Sequence, residues 1–184
     1  MDDIVIARAV GTDAQGIHYS NKRTWLDTYP SKEFGITKED IERRFQENAT
    51  WEALSRLAKR LANPPSGEIS LVAKRNNAVV GYCRLARHYK FNEILAINIS
   101  PPYQGKGLGK KFWEHGLAHF DPLNPTKVRT ASYNARAIGF YRSLGFEECS
   151  GLILDYRFRM FNGAILPQLE MCRPPEAYFS ARRP

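Results

Sequence analysis

Cysteine is scarce: the 184-residue chain has three, Cys83, Cys149 and Cys172. An odd number without a short-range spacing pattern suits free buried thiols, and it fits neither a disulfide framework nor a zinc site. Long apolar runs are lacking as well. No stretch approaches the ~18 residues of a membrane span, and Met1-Asp2-Asp3 is acidic where a signal peptide would be basic. A membrane partner is therefore excluded, and the expected compartment is the cytoplasm. Internal repeats and low-complexity segments are also missing, so a solenoid or array is excluded.

What is present is an ordinary globular balance, 43% hydrophobic and 25% charged, which rules out disordered and fibrous classes. The length predicts one domain. The net charge of +8 is confined to the later part of the chain. Residues 1–63 carry ten Lys/Arg and ten Asp/Glu, whereas residues 64–184 carry seventeen against nine. That part is expected to meet an anion, either nucleic acid or a phosphorylated cofactor, unless it is only a solvated basic surface.

Periodicity places the elements. Ile4 to Val10 reads as a first strand, and Thr12-Asp13-Ala14-Gln15 has the form of a capping box opening a helix whose Ile17, Asn21, Trp25 and Tyr29 share one face. Thr37-Lys38-Glu39-Asp40 starts a second helical region, stopped at Asn63-Pro64-Pro65-Ser66-Gly67. Residues 69–75 and 78–88, separated by Asn76-Asn77, read as a β-hairpin, and 93–100 as a further strand. A glycine-rich turn, a helix (108–120), a strand (127–132) and another helix (135–144) follow, a run that predicts a parallel crossover. In the tail, Leu154, Tyr156, Phe158 and Met160 alternate with polar residues ahead of an Asn162-Gly163 hairpin turn.

The turn Gln104-Gly105-Lys106-Gly107-Leu108-Gly109-Lys110 carries the chemistry. Glycines there admit positive φ and close backbone approach, so several N–H groups and a helix N-terminus can face one pyrophosphate. Two nucleotide motifs fail on these residues. The NTPase phosphate loop needs four residues between its glycines and then Lys-Ser/Thr, but three separate Gly105 from Gly109 and Lys110-Lys111 follows. In the dinucleotide fingerprint the third glycine would fall on Lys110. A plain tight turn is the alternative.

The segment Gln104-Gly105-Lys106-Gly107-Leu108-Gly109 resembles the Q/R-x-x-G-x-G/A turn of the GNAT superfamily of N-acetyltransferases. Asn134, Ala137, Phe140, Tyr141, Leu144, Gly145 and Phe146 resemble that family's second block. The resemblance implies a single α/β domain over 1–184, with a mixed sheet of six to seven strands flanked by helices and splayed between the fourth and fifth strands. Residues 1–63 would form the acceptor side, 69–146 the acetyl-CoA core, and 147–173 a C-terminal hairpin. It also implies acetyl-CoA as co-substrate, no metal, and acetyl transfer to a primary amine by direct attack in a ternary complex. Ile97, Ile99, Gln104, Gly105, Lys106, Gly107, Leu108, Gly109, Lys110 and Asn134 would bind the cofactor.

By the same resemblance Tyr141 would protonate the departing sulfur and Glu93 would be the base, directly or through water. For Glu93 the alternative is a solvated carboxylate, and for Asn134 a helix cap. A CoA pyrophosphate accounts for the basic excess, with Lys106, Lys110 and Lys111 as its neighbours, and makes nucleic acid unnecessary as a partner. The acceptor is expected to be a small amine. A protein N-terminus or lysine, or a non-catalytic acyl-CoA-binding role, are the alternatives, in a monomer or homodimer. Trp25, Tyr29, Phe34 and Trp51 would line the acceptor pocket or pack the core. His115 and His119, four apart on one helix, are expected to be a surface pair.

Overall fold

The structure is a computed structural model that describes residues 4–176 and Tyr178. The elements run β1 (Ile4–Arg8), α1 (Ala14–Thr28), α2 (Lys38–Glu47), α3 (Trp51–Ala62), β2 (Glu68–Arg75), β3 (Ala78–Arg87), β4 (Asn92–Ile99), α4 (Leu108–Leu117), β5 (Thr126–Ala131), α5 (Ala135–Ser143), β6 (Glu147–Glu148), β7 (Ile153–Arg159) and β8 (Ile165–Arg173). One mixed sheet holds all the strands among the described residues, in the order β1-β2-β3-β4-β5-β8-β6, with β7 also paired to β8. That is eight strands rather than six or seven, because the very short β6 adds to the predicted hairpin.

Local chemistry sets most of the boundaries. Thr37 and Asp40 cap α2 reciprocally: Thr37 Oγ1 accepts from Asp40 N–H at 3.1 Å, and Asp40 Oδ2 accepts from Thr37 N–H at 3.1 Å. The predicted single helical region is broken after Glu47, and Thr50 restarts it as α3 by accepting from Ala53 N–H at 3.2 Å. The expected Thr12 capping box does not form. A 3₁₀ turn occupies Gly11–Asp13, and it is Asp13 Oδ2 that accepts from Val10 N–H. Asn76 and Asn77 take φ of 48° and 64°, the two positive values that a tight β2–β3 turn demands.

Two apolar layers sandwich the sheet. One packs α4, α5 and the turn after α5 on it through Phe112, Trp113, Ile138, Tyr141 and Phe146 against Cys83, Leu85, Ile94, Val128 and Met171. The other packs α1 and α3 through Ile17 and Leu61 against Val72 and Tyr82. A third cluster joins α1 and α2 to the β7–β8 hairpin, where Trp25, Tyr29, Phe34 and Phe45 surround Ile36, Ile41, Ala131, Met160 and Leu166. The tail alternation is only half realised, since Met160 is 3% exposed but Tyr156 is 76% exposed. The β7–β8 register slips between Leu154 and Arg159, and a slip of this kind breaks the alternation of faces along the strand.

The expectation of free thiols is corrected for two of the three cysteines. Cys149 and Cys172 form a disulfide, with Cα atoms 5.7 Å apart, while Cys83 is free and buried. Sequence spacing concealed the pair. Antiparallel pairing of Glu147 with Cys172 and of Glu148 with Met171 is what brings the two residues alongside.

Candidate active site

β4 and β5 run parallel but pair over only three positions, Asn92–Thr126, Glu93–Lys127 and Ile94–Val128. Beyond them the strands part. The cause lies on the other edge of β4, where the β3 ladder passes from Leu85–Ile94 to Arg84–Ala96 and leaves Leu95 as an extra, bulged residue that bends the strand. Ser100 N–H donates to Val80 O of β3 at 2.9 Å, so by alternation Asn98 also faces β3 while Ile97 and Ile99 turn their N–H and C=O toward the gap. The splay thus exposes a row of backbone groups that no strand satisfies. Gln104 takes one of them, donating from Nε2 to Ile99 O at 2.9 Å.

A cleft of about 630 Å³ opens from this gap. Its floor is the glycine turn. Gly105 and Gly107 have φ of 70° and 80°, a left-handed region that favours glycine, and a Cβ on either would meet nothing within 4 Å. Gly107 is the N-cap of α4, and Lys111 N–H is the first to close on Gly107 O, at 3.1 Å. The N–H groups of Leu108, Gly109 and Lys110 therefore have no partner within the helix, and all three residues line the cleft. Open space, three unpartnered donors and the positive end of α4 together fit a pyrophosphate. Gly109 has a different reason to be glycine: a Cβ there would stand 3.0 Å from the Phe140 ring, so it lets α4 and α5 approach.

Most of the sequence-predicted residues meet here. Ile97, Ile99, Gln104, Gly105, Gly107, Leu108, Gly109, Lys110, Asn134 and Tyr141 all line the cleft. Lys106 does not, and its ammonium lies over the Tyr103 ring, 5.9 Å from the centroid. Asn134 caps α5, its Oδ1 accepting from Ala137 N–H at 3.1 Å, and lines the cleft as well, so the two readings of this residue hold together. Tyr141 is 5% exposed, and burial pushes its hydroxyl far above the usual tyrosine range, so it holds its proton at any physiological pH.

Glu93 stands apart from that group. It belongs to the last stretch of β4 still paired with β5, lies outside the cleft lining, and its Oε2 is bonded to His88 Nε2 at 2.9 Å. Trp51 is 77% exposed on α3 and lines nothing, whereas Trp25, Tyr29 and Phe34 pack in the third cluster. His115 and His119 bond separate backbone carbonyls, of Lys111 and Gly67, and do not face one another as a pair.

The sequence reading missed the wall that α1 supplies. Thr24, Asp27 and Thr28 line the cleft opposite the glycine turn, and Arg136 crosses its mouth, bonded to Gln104 Oε1 and 3.7 Å from Asp27. The signal was the i, i+3, i+4 spacing of Thr24, Asp27 and Thr28, which puts them on one side of a helix otherwise read for its apolar face.

Residues 23–146 match the model of the acetyltransferase (GNAT) family. Over 111 residues the chain is 31% identical to a mycothiol acetyltransferase of Segniliparus rotundus, a segment spanning 54% of this chain and 41% of that protein. Among solved structures, the PaiA N-acetyltransferase of Thermoplasma acidophilum in complex with coenzyme A superposes with a TM-score of 0.70 at 18% identity, covering 93% of this chain and 98% of that one. A variant of the spermidine N-acetyltransferase SpeG of Vibrio cholerae superposes with a TM-score of 0.64 at 20% identity, over 100% of both chains. Splayed strands, glycine turn and buried tyrosine all lie within the matched residues, and the chain belongs to the acetyltransferase (GNAT) family.

Proposed function

We propose that the protein transfers the acetyl group of acetyl-CoA to the primary amine of a small molecule, by direct attack within a ternary complex. The observation that carries this reading is the cleft itself, in which an anion-binding helix start, an unpaired strand edge and a buried, protonated tyrosine line one space. The N–H groups at the start of α4 hold the pyrophosphate, and Lys110 adds a charge-assisted contact. The backbone of Ile97 and Ile99 takes the pantetheine arm as a strand would be taken, and an N–H there polarises the thioester carbonyl.

The amine nitrogen then bonds to the carbonyl carbon, the carbon–sulfur bond breaks, and the thiolate takes its proton from the Tyr141 hydroxyl, which is reprotonated from solvent as the products leave. The nitrogen sheds one proton in the same sequence. We assign its removal to Glu93 acting through water, because the carboxylate lies outside the cleft lining and is already bonded to His88. In this division residues 1–63 and the β7–β8 hairpin enclose the acceptor, and 69–146 hold the cofactor, within one domain.

An acetyl-CoA-dependent thiol-release screen across amines, amino acids, aminoglycosides and peptides tests the reading. Turnover with a small amine and little with peptides is expected. CoA binding without thiol release from any acceptor would leave only an acyl-CoA-binding module.

A further inference from the structure

Two helix starts converge on the cleft. Gly107 and Leu108 open α4, Asn134 and Ala135 open α5, and all four residues line the same space, so the positive ends of two helix dipoles meet there. Lys110 and Arg136 add two cations to the described lining, against the single carboxylate of Asp27. Arg136 is the second residue of α5, within the first turn, where a helix dipole disfavours a cation. Its own helix therefore does not explain its place there.

The side chain of Arg136 is the middle of a bridge over the mouth. Its Nη1 donates to Gln104 Oε1 and lies 3.7 Å from Asp27 Oδ2 on α1. Gln104 in turn donates from Nε2 to Ile99 O at 2.9 Å. Asp27, Arg136, Gln104 and Ile99 thus link α1, α5, the glycine turn and β4 in one chain of contacts. That chain ends on a β4 carbonyl facing the gap, one of the groups that a strand-like pantetheine arm would use.

Charged oxygens would compete well for this arginine. The side chains of Arg136 and Asp27 are 70% and 41% exposed, so water screens their attraction, and Gln104 Oε1 is a neutral acceptor. A diphosphate at the start of α4 offers ionised acceptors, and a hydrogen bond to an ionised group is roughly twice as strong as a neutral one.

We propose that Arg136 is a CoA-binding residue that exchanges partners. In the free protein Asp27 and Gln104 hold it across the mouth, and in the complex it passes to the cofactor's diphosphate, on the side away from α4. Asp27 is then a built-in competitor that lowers the affinity for CoA. The exchange rests on the placement of the diphosphate at α4, and it is independent of which amine is acetylated.

Calorimetric titration of CoA into the full chain decides it, at one ionic strength, for the unaltered protein, Arg136→Gln, Asp27→Asn and the double variant. Both side chains are well exposed, so the variants should fold. Arg136→Gln should weaken CoA binding about tenfold, as one lost charge-assisted hydrogen bond implies. Asp27→Asn should tighten it about two- to fivefold, the worth of an exposed ion pair, and should add nothing once Arg136 is gone. Dephospho-CoA keeps the diphosphate and should show the same penalty in Arg136→Gln, whereas S-acetylpantetheine lacks it and should show none. Unchanged CoA affinity in Arg136→Gln overturns the exchange and leaves the diphosphate at α4. Equal tightening by Asp27→Asn with and without Arg136 makes Asp27 a plain repulsive charge and overturns the exchange as well. A penalty that vanishes with dephospho-CoA moves the contact to the 3′-phosphate, one that persists with S-acetylpantetheine moves it off the phosphates, and either overturns the assignment. An unaltered chain that binds no CoA overturns both the exchange and the cofactor placement beneath it.

Discussion

Replacing Gly107 by valine separates cofactor contact from folding. The residue has φ of 80° and ψ of −1°, and a Cβ would meet nothing within 4 Å, so the folded protein suffers backbone strain without a clash. Left-handed conformation costs a non-glycine residue about 1–2 kcal/mol, which in a domain of this size lowers Tm by about 2–8 °C. The empty space that spares the fold is the space assigned to the pyrophosphate. A side chain there denies the phosphate one or two charge-assisted hydrogen bonds to α4, so CoA affinity should fall about tenfold to hundredfold. Gly163 is the control. It has φ of 93° in the β7–β8 turn, where a Cβ would come no closer than 3.6 Å to the flexible end of Arg159, and it lies outside the cleft. Gly163→Val should lose comparable stability and keep its CoA affinity. Calorimetry on both folded variants is the assay, with thermal melts alongside. An unchanged Kd in Gly107→Val would refute the placement of the cofactor, whatever the melts show.

Four further outcomes are expected. Tyr141→Phe should bind CoA normally and turn over ~10²-fold or more slowly, as loss of a general acid implies, and less than a threefold change with chemistry rate-limiting would make Tyr141 a packing residue only. The same residue bears on alkaline stability. Its folded pKa is raised by burial, so its contribution is whole below the unfolded value of about 10 and is lost as pH rises beyond it, since the unfolded chain ionises first. Melts from pH 8 to 11 should therefore show a shallower alkaline decline in Tyr141→Phe. Reducing Cys149–Cys172, a bridge across 23 residues, should cost about 3 kcal/mol on the loop-closure account and lower Tm by about 6–12 °C, and identical melts with and without reductant would show that the paired strands alone hold β6 in place. Glu93→Gln should depress kcat/KM near pH 7 and recover in part at pH 9–10, where more of the amine is neutral already, whereas pH profiles parallel to those of the unaltered protein would leave the proton to solvent.

Much of the cofactor side was legible along the chain because its residues are close in sequence. Gln104 to Lys110 is one continuous turn, and its conformational demand is written directly as glycine at Gly105 and Gly107. Asn134 caps the same helix that carries Tyr141, so their seven-residue spacing already brings both to one side of it. The opposite wall of the cleft was poorly legible for the opposite reason. Thr24, Asp27 and Thr28 on α1 and Arg136 on α5 come from separate elements, and no pattern within either one marks that they share a cleft.

The sequence alone determined the mixed α/β class, most of the element order and the glycine turn, because caps, periodicity and glycines act through bonds and contacts within a few residues. Only the tertiary structure decided where β4 parts from β5, that Glu93 bonds His88 outside the cleft, and that Cys149 meets Cys172. Each of these depends on which strands lie side by side and in what register. Register is settled by burying one whole face of the sheet at once, and no single stretch of chain can do that for itself.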